Sequence, residues 1–318
     1  MGNPWRMSGS ADIEQLLTEL GGVGQLNSRG EFTLDPARAS LLLEKYQLPT
    51  PSYFMLHAVG AALASGASTV EVGVYKDLFQ LVFDGEPFSP DDASECVSAL
   101  WLEGNRAEVL RLQELAIARG GAMQWGAREF TLEQLDDGRQ RLRAPRGSWM
   151  GPLGRLFRSE DLQVLIDHLV PTPTCSFRLN GKPMNGLILP PSVEHAYAVG
   201  EISRHLLEGL PPKAATSVLE SDALPHGTGL LCRLPRALLL GDWAHSGFTA
   251  RSKRSFWPGF MDVVLNGRLY RCPLPPGWSA WWGVFYLNLM QRDLSFSYLA
   301  ERDLERLQSL FEQARDSG

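Results

Sequence analysis

The stretch from Ser52 to Phe83 constrains the fold more than any other, because a helix, a tight turn and two strands follow one another there with little intervening loop. Ser52 to Ser65 is rich in alanine and glycine, which predicts a helix whose small side chains let a neighbouring helix or sheet approach closely. Gly66-Ala67-Ser68 ends it. From Thr69 to Tyr75, Val70, Val72 and Val74 alternate with Glu71, Gly73 and Tyr75, the period of a half-buried strand, and Leu78 to Phe83 supplies a second. These two strands are expected to pair, with the helix packed across their sheet. His57, Ser65, Ser68, Thr69 and Glu71 interrupt the apolar run, so a protein core suits it better than a bilayer.

The flanking sequence extends this α/β pattern. Asp12 to Leu20 and Asp35 to Tyr46 read as amphipathic helices, with Glu31 to Leu34 a short strand between them. Further helices are expected from Pro90 through Trp101, from Arg106 to Arg119 and from Glu160 to Leu169, with strands at Arg128 to Leu132 and Arg139 to Arg143. Ala144 to Gly154 is rich in proline and glycine and reads as a loop or hinge. Beyond it the chain is mainly strands. Phe177 to Met184 and Val263 to Tyr270 each hold an Asn-Gly pair between apolar residues, which supplies the positive φ angles of a type I′ hairpin. Gly229 to Leu234, Arg236 to Leu240 and Gly283 to Leu287 are further strand candidates, and Leu299 to Ala314 is a final amphipathic helix.

A chain of 318 residues has room for two domains, expected at residues 1–170 and 171–318. Its formal charge of −6 disfavours general attraction to nucleic acid or anionic lipid, so neither is expected as a partner. Met1 to Ser10 lacks the apolar segment of a signal peptide, which points to the cytoplasm. Cys96, Cys175, Cys232 and Cys272 lie far apart, without the close pairing of a zinc site, and read as free thiols; no metal site is expected.

Leu56 to Val74 (LHAVGAALASGASTVEVGV) resembles the first motif of the GHKL ATPases, the superfamily of gyrase, the ninety-kilodalton heat-shock chaperones, histidine kinases and MutL. In that family a helix bearing a glutamate, an asparagine and an aspartate enters a Gly-Ala-Thr turn and then a strand; Gly66-Ala67-Ser68 and Thr69 match the turn. Val82 to Ser89 (VFDGEPFS) resembles the second motif, with Asp84 at the adenine-binding aspartate and Gly85 at the glycine that makes room for the base. The resemblance implies a two-layer α/β sandwich followed by a smaller β-α-β domain of the transducer kind.

Alignment on Gly66-Ala67-Ser68 puts His57 at the family's general-base glutamate, Ala61 at its magnesium-holding asparagine and Ala64 at its aspartate. Alanine offers magnesium no oxygen, and no carboxylate near in sequence replaces the glutamate, since Glu86 is followed by Pro87 and should point outward. His57, Ala61 and Asp84 are expected to face one another across the nucleotide space. Where the phosphate lid should lie, only Gly104 supplies a glycine. The resemblance therefore implies vestigial nucleotide-binding positions at His57, Ala61, Asp84, Gly85 and Gly104, no catalytic residue, and ATP at most without a strong magnesium site. The expected role is a non-hydrolytic binding or regulatory protein with a protein partner; the alternative is a divergent ATP-binding protein or ATPase of that superfamily, using His57 or another base, with adenine recognition kept by Asp84 and Gly85.

Other clusters are weaker. Arg139, Arg141, Arg143 and Arg146 read as a solvated edge rather than a basic docking face. Arg251, Lys253 and Arg254 beside Phe256 and Trp257 suit nucleic acid only against the net charge. Asp242, His245 and Ser246 sit too close on one loop for triad geometry. Trp278, Trp281 and Trp282 follow the turn Pro275-Pro276-Gly277 and are the candidates for a surface contact with another chain.

Overall fold

The computed structural model describes residues 24–26, 32–34, 48, 50–89, 92, 96–97, 99–100, 107–146, 154–200, 210, 214–219, 227–236, 256–287 and 301–316. The expected helices Asp12 to Leu20 and Asp35 to Tyr46, most of Pro90 to Trp101, and residues 237–240 of an expected strand lie outside them. The chain is a mixed α/β protein with two six-stranded mixed sheets.

The first sheet and its helices grow from the segment that dominates the sequence. A short hairpin, β1 (Gly24–Leu26) and β2 (Phe32–Leu34), precedes it. A 3-10 turn, Pro51–Tyr53, leads into helix α1 (Phe54–Ala64). Strands β3 (Thr69–Tyr75) and β4 (Leu78–Phe83) follow and pair antiparallel, as the alternating valines predict. Helix α2 (Ala107–Gln124), strands β5 (Thr131–Gln134) and β6 (Gln140–Pro145) and helix α3 (Gly154–His168) complete this stretch. Strands β7 (Ser176–Leu179) and β8 (Lys182–Pro183) return to the same sheet, whose order is β5-β6-β4-β3-β7-β8, with β7 parallel to β3.

Val70, Val72, Phe79, Leu81, Phe83, Leu142 and Phe177 point to one side, where they meet Phe54, Leu115, Ala118 and Leu165 of the three helices. Glu71 on the opposite face is exposed. The small residues of α1 and α2 allow the two helices to pack closely. A Cβ on Gly121 would lie 2.7 Å from Phe54 Cβ, and one on Gly60 would lie 2.8 Å from the Glu114 carboxyl carbon. Glycine at position 60 therefore makes the notch that admits Glu114.

The second sheet is ordered β10-β9-β11-β14-β12-β13. Its strands are β9 (His195–Val199), β10 (Ala215–Leu219), β11 (Thr228–Arg233), β12 (Phe260–Leu265), β13 (Arg268–Pro273) and β14 (Trp281–Leu287). Strands β9 and β10 have no counterpart in the sequence reading. Helix α4 (Glu301–Asp316) covers one face with Leu307, Leu310, Phe311 and Ala314. The other face packs Val264, Trp282 and Val284 against Val170, Val193 and Phe256. Both Asn-Gly hairpins form as expected: Asn180 and Gly181 between β7 and β8, and Asn266 and Gly267 between β12 and β13, all with positive φ.

Candidate functional site

His57 lies on α1 and is 1 % exposed. Its Nδ1 is 2.6 Å from Glu114 Oε2 on α2, and its Nε2 is 3.4 Å from Arg268 Nη1, which comes from β13 of the second sheet. Glu114 and Arg268 are buried too, at 1 % and 6 % exposure. A carboxylate only accepts hydrogen bonds and a guanidinium only donates them, so a neutral imidazole with its proton on Nδ1 satisfies both neighbours. The chain Glu114–His57–Arg268 is then net neutral, as a buried charge cluster must be to limit its desolvation cost.

The cluster extends through aromatic rings. Arg268 sits over the rings of Tyr53 and Tyr270, at 4.9 and 5.0 Å. The Tyr53 hydroxyl is 3.1 Å from His168 Nε2 at the end of α3. Alongside, Asp161 of α3 accepts from Ser52 Oγ and from Trp125 Nε1 (3.0 Å), and pairs with Arg146 at 3.6 Å.

The carboxylate beside His57 is one the sequence reading did not find: Glu114, on another helix and 57 residues along the chain. A carboxylate holding one imidazole nitrogen is how a general base is positioned in hydrolases. Here the other nitrogen faces Arg268 rather than solvent. Ala61, one turn further along α1, is buried and brings no oxygen.

Asp84 has separate partners. Its carboxylate accepts from the Ser68 amide (2.8 Å), the Ser68 hydroxyl (2.6 Å) and the Thr69 amide (2.8 Å). Partial burial raises its pKa, but these hydrogen bonds outweigh that and hold the carboxyl below the ordinary aspartate range. Gly85 meets the same turn, since a Cβ there would lie 2.9 Å from the Ser65 carbonyl oxygen and 3.1 Å from the Ala67 nitrogen. The Glu86 amide donates to Ser65 O at 2.7 Å, and its exposed carboxylate pairs with Arg111 at 2.9 Å. Asp84 and Gly85 thus lace the start of β3 to the end of β4. His57 is engaged with α2 and β13 and Asp84 with the turn before β3, so these two expected site residues share no hydrogen-bond partner. Gly104 lies outside the described residues.

For Trp281 and Trp282 the expected surface position is corrected. Adjacent residues on a strand face opposite sides, and here both sides are core. Trp281 packs under Phe311 of α4, while Trp282 is fully buried on the other face and donates to Asp262 Oδ2 at 3.1 Å. Trp278 is half-buried against Phe311 with Arg315 over its ring. Asp262 also takes a bidentate pair from Arg271, at 2.7 and 3.0 Å, yet burial still raises its pKa.

Of the arginine row, Arg139 just before β6 pairs with Asp137 and with Glu71 of β3, and Arg141 of β6 pairs with Glu133 of β5; the expected sheet edge is corrected, since β6 lies between β5 and β4. Residues 251–255 and the cluster Asp242, His245 and Ser246 lie outside the described residues. Cys96, Cys175, Cys232 and Cys272 are free thiols; burial lifts Cys175 to about 12 and Cys272 to about 11, which keeps both protonated. Among the described residues no group of His, Cys, Asp and Glu is arranged to hold a metal ion, and no helix is long and apolar enough to cross a membrane.

No family model matches the chain, and no curated protein matches it. Among solved structures it is similar to the crystal structure of the ATPase domain of the bacterial mismatch repair endonuclease MutL from Aquifex aeolicus. Identity is 14 %, the match covers 82 % of this chain and 98 % of that chain, and the TM-score is 0.34. At that TM-score the likeness carries no argument about activity.

Proposed function

We propose that this chain is a GHKL-like binding or regulatory protein that does not hydrolyse ATP, built as an ATPase-like unit followed by a transducer-like unit. One observation carries the reading: the residue aligned with the family's general base, His57, is closed between Glu114 and Arg268 and out of contact with solvent. A base must reach the water it activates, and a buried ring with both nitrogens engaged does not. Ala61 supplies no magnesium ligand, and three of the Asp84 carboxylate's acceptor positions are already used. A protein partner, met through the surface rather than through a nucleotide, fits this arrangement.

The Glu114–His57 pair favours a second reading, a divergent ATPase in which Glu114 orients His57 as base. Turnover and binding of ATP by the purified full chain, with and without magnesium, separate the two. The expected outcome is no magnesium-dependent turnover. Turnover abolished by Glu114→Gln, in protein that remains folded by circular dichroism, would establish the ATPase instead.

A further inference from the structure

Between the first sheet with its helices and the second sheet, the closest pairing of described elements is α3 with β13, beside the hairpin tip Asn266-Gly267-Arg268. The tip is seated by several independent contacts. Gly267 accepts from the Val170 amide at 2.8 Å, and Arg268 bridges to Leu169. A Cβ on Gly267 would lie 2.7 Å from Leu63 and 3.0 Å from Phe177, so the turn fits against α1 and β7 only because the residue is glycine. Arg268 then passes over Tyr53 to reach His57.

We propose that this tip is a releasable latch between the two halves, whose departure opens His57 Nε2 to solvent. The inference does not depend on the proposed function. Small contacts between units permit relative motion by default. A buried ion chain fixes geometry more than it adds stability, because desolvation offsets much of its attraction. Each half retains an apolar core of its own when the tip leaves: α1, α2 and α3 over the first sheet, α4 over the second. In the seated state Arg268 is the third member of the Glu114–His57 chain. In the released state Glu114 and His57 remain paired on adjacent helices, and Arg268 is hydrated. A partner that binds either half differently in the two states shifts the same equilibrium, so the latch couples the halves.

Glu114 and Arg268 face the two ring nitrogens of His57, with Tyr53 beneath the guanidinium and His168 beyond it, so the reactivity of Nε2 follows the tip's position. The test uses the wild-type full chain with diethyl pyrocarbonate, reading modification of His57 by mass spectrometry as urea is raised below the unfolding transition. A latch predicts that His57 reacts through an opening with a much smaller urea dependence than global unfolding, and that the Val170 amide, which bonds Gly267 across the junction, exchanges with it while amides of α1, β11 and β14 stay protected. Modification of His57 only in step with global unfolding overturns the proposal. As a second arm, Arg268→Ala is expected to raise the His57 reaction rate at least tenfold with β11 and β14 still protected, and Arg268→Lys to restore part of the protection. An Arg268→Ala protein that loses protection throughout both sheets, or that does not fold, also overturns it, because the tip is then ordinary core.

Discussion

Two polar clusters, both on the segment that dominates the sequence, are built in opposite ways. The knot around Asp84 is local: its carboxylate, Gly85 and the Glu86 amide all bind residues 65–69, within one turn and two strands. The chain through His57 is long-range, drawing Glu114 from the next helix and Arg268 from the other sheet. The first is half in water and holds a turn. The second is dry and holds two halves together. The difference teaches that motif likeness in one segment does not fix the use of its residues: Asp84 matches the family's aspartate and serves the turn, whereas His57 departs from the family's glutamate and acquires a carboxylate from elsewhere.

Stability measurements sharpen this contrast. Glu114→Ala leaves the buried Arg268 guanidinium without its counter-charge and the His57 Nδ1 proton without its acceptor, and is expected to cost about 3–5 kcal/mol, read as a lower urea midpoint. Joint replacement of His57, Glu114 and Arg268 by apolar residues of similar volume should cost far less, because no uncompensated charge remains. If the triple variant is the worse of the two, the chain is not an ion cluster in the sense argued.

The local knot answers to sterics before charge. Gly85→Ala places a methyl group against the Ser65 carbonyl and should cost about 2 kcal/mol, since packed turns give way only by shifting backbone. A neutral result would show that the turn yields, and that the close approach at Gly85 is incidental.

Asp84→Ala should cost least, about 1 kcal/mol at neutral pH, because solvent screens an exposed carboxylate even where it is well hydrogen-bonded. Its effect depends on pH. The folded-state pKa is lowered, so the carboxylate's contribution is present above the ordinary aspartate value of 3.8 and is lost as pH falls through the folded value. The difference in melting temperature between wild type and Asp84→Ala should therefore shrink below pH 4. A difference that holds constant from pH 7 to pH 3 would mean that the hydrogen bonds to Ser68 and Thr69 contribute nothing net.

Much of the fold was legible where the determining interactions lie close along the chain. The alternating valines of β3, the apolar run of β4 and the two Asn-Gly turns are short-range patterns: side-chain direction alternates along a strand, and a type I′ turn needs two residues that tolerate positive φ. Strands β9 and β10 were not legible. Ala-Tyr-Ala-Val and Ala-Thr-Ser-Val carry no clear alternation, because β9 is buried along most of its length while β10 is a mostly exposed strand paired parallel to it. Trp281 and Trp282 misled for the same reason: the alternation rule is right, but β14 is buried on both faces.

The sequence by itself determined the helix–turn–strand–strand unit and the absence of a magnesium-binding side chain at Ala61, because each depends on neighbours a few residues away or on the residue alone. Only the tertiary structure decided that His57 is buried between Glu114 and Arg268 rather than set in an open site. Its partners lie 57 and 211 residues along the chain, and the signals for them are separately unremarkable: a glutamate among the small residues of α2, a notch at Gly60, an arginine after a hairpin turn. Burial turns those three ordinary choices into one requirement, since a charge removed from water must meet its opposite wherever the fold brings one.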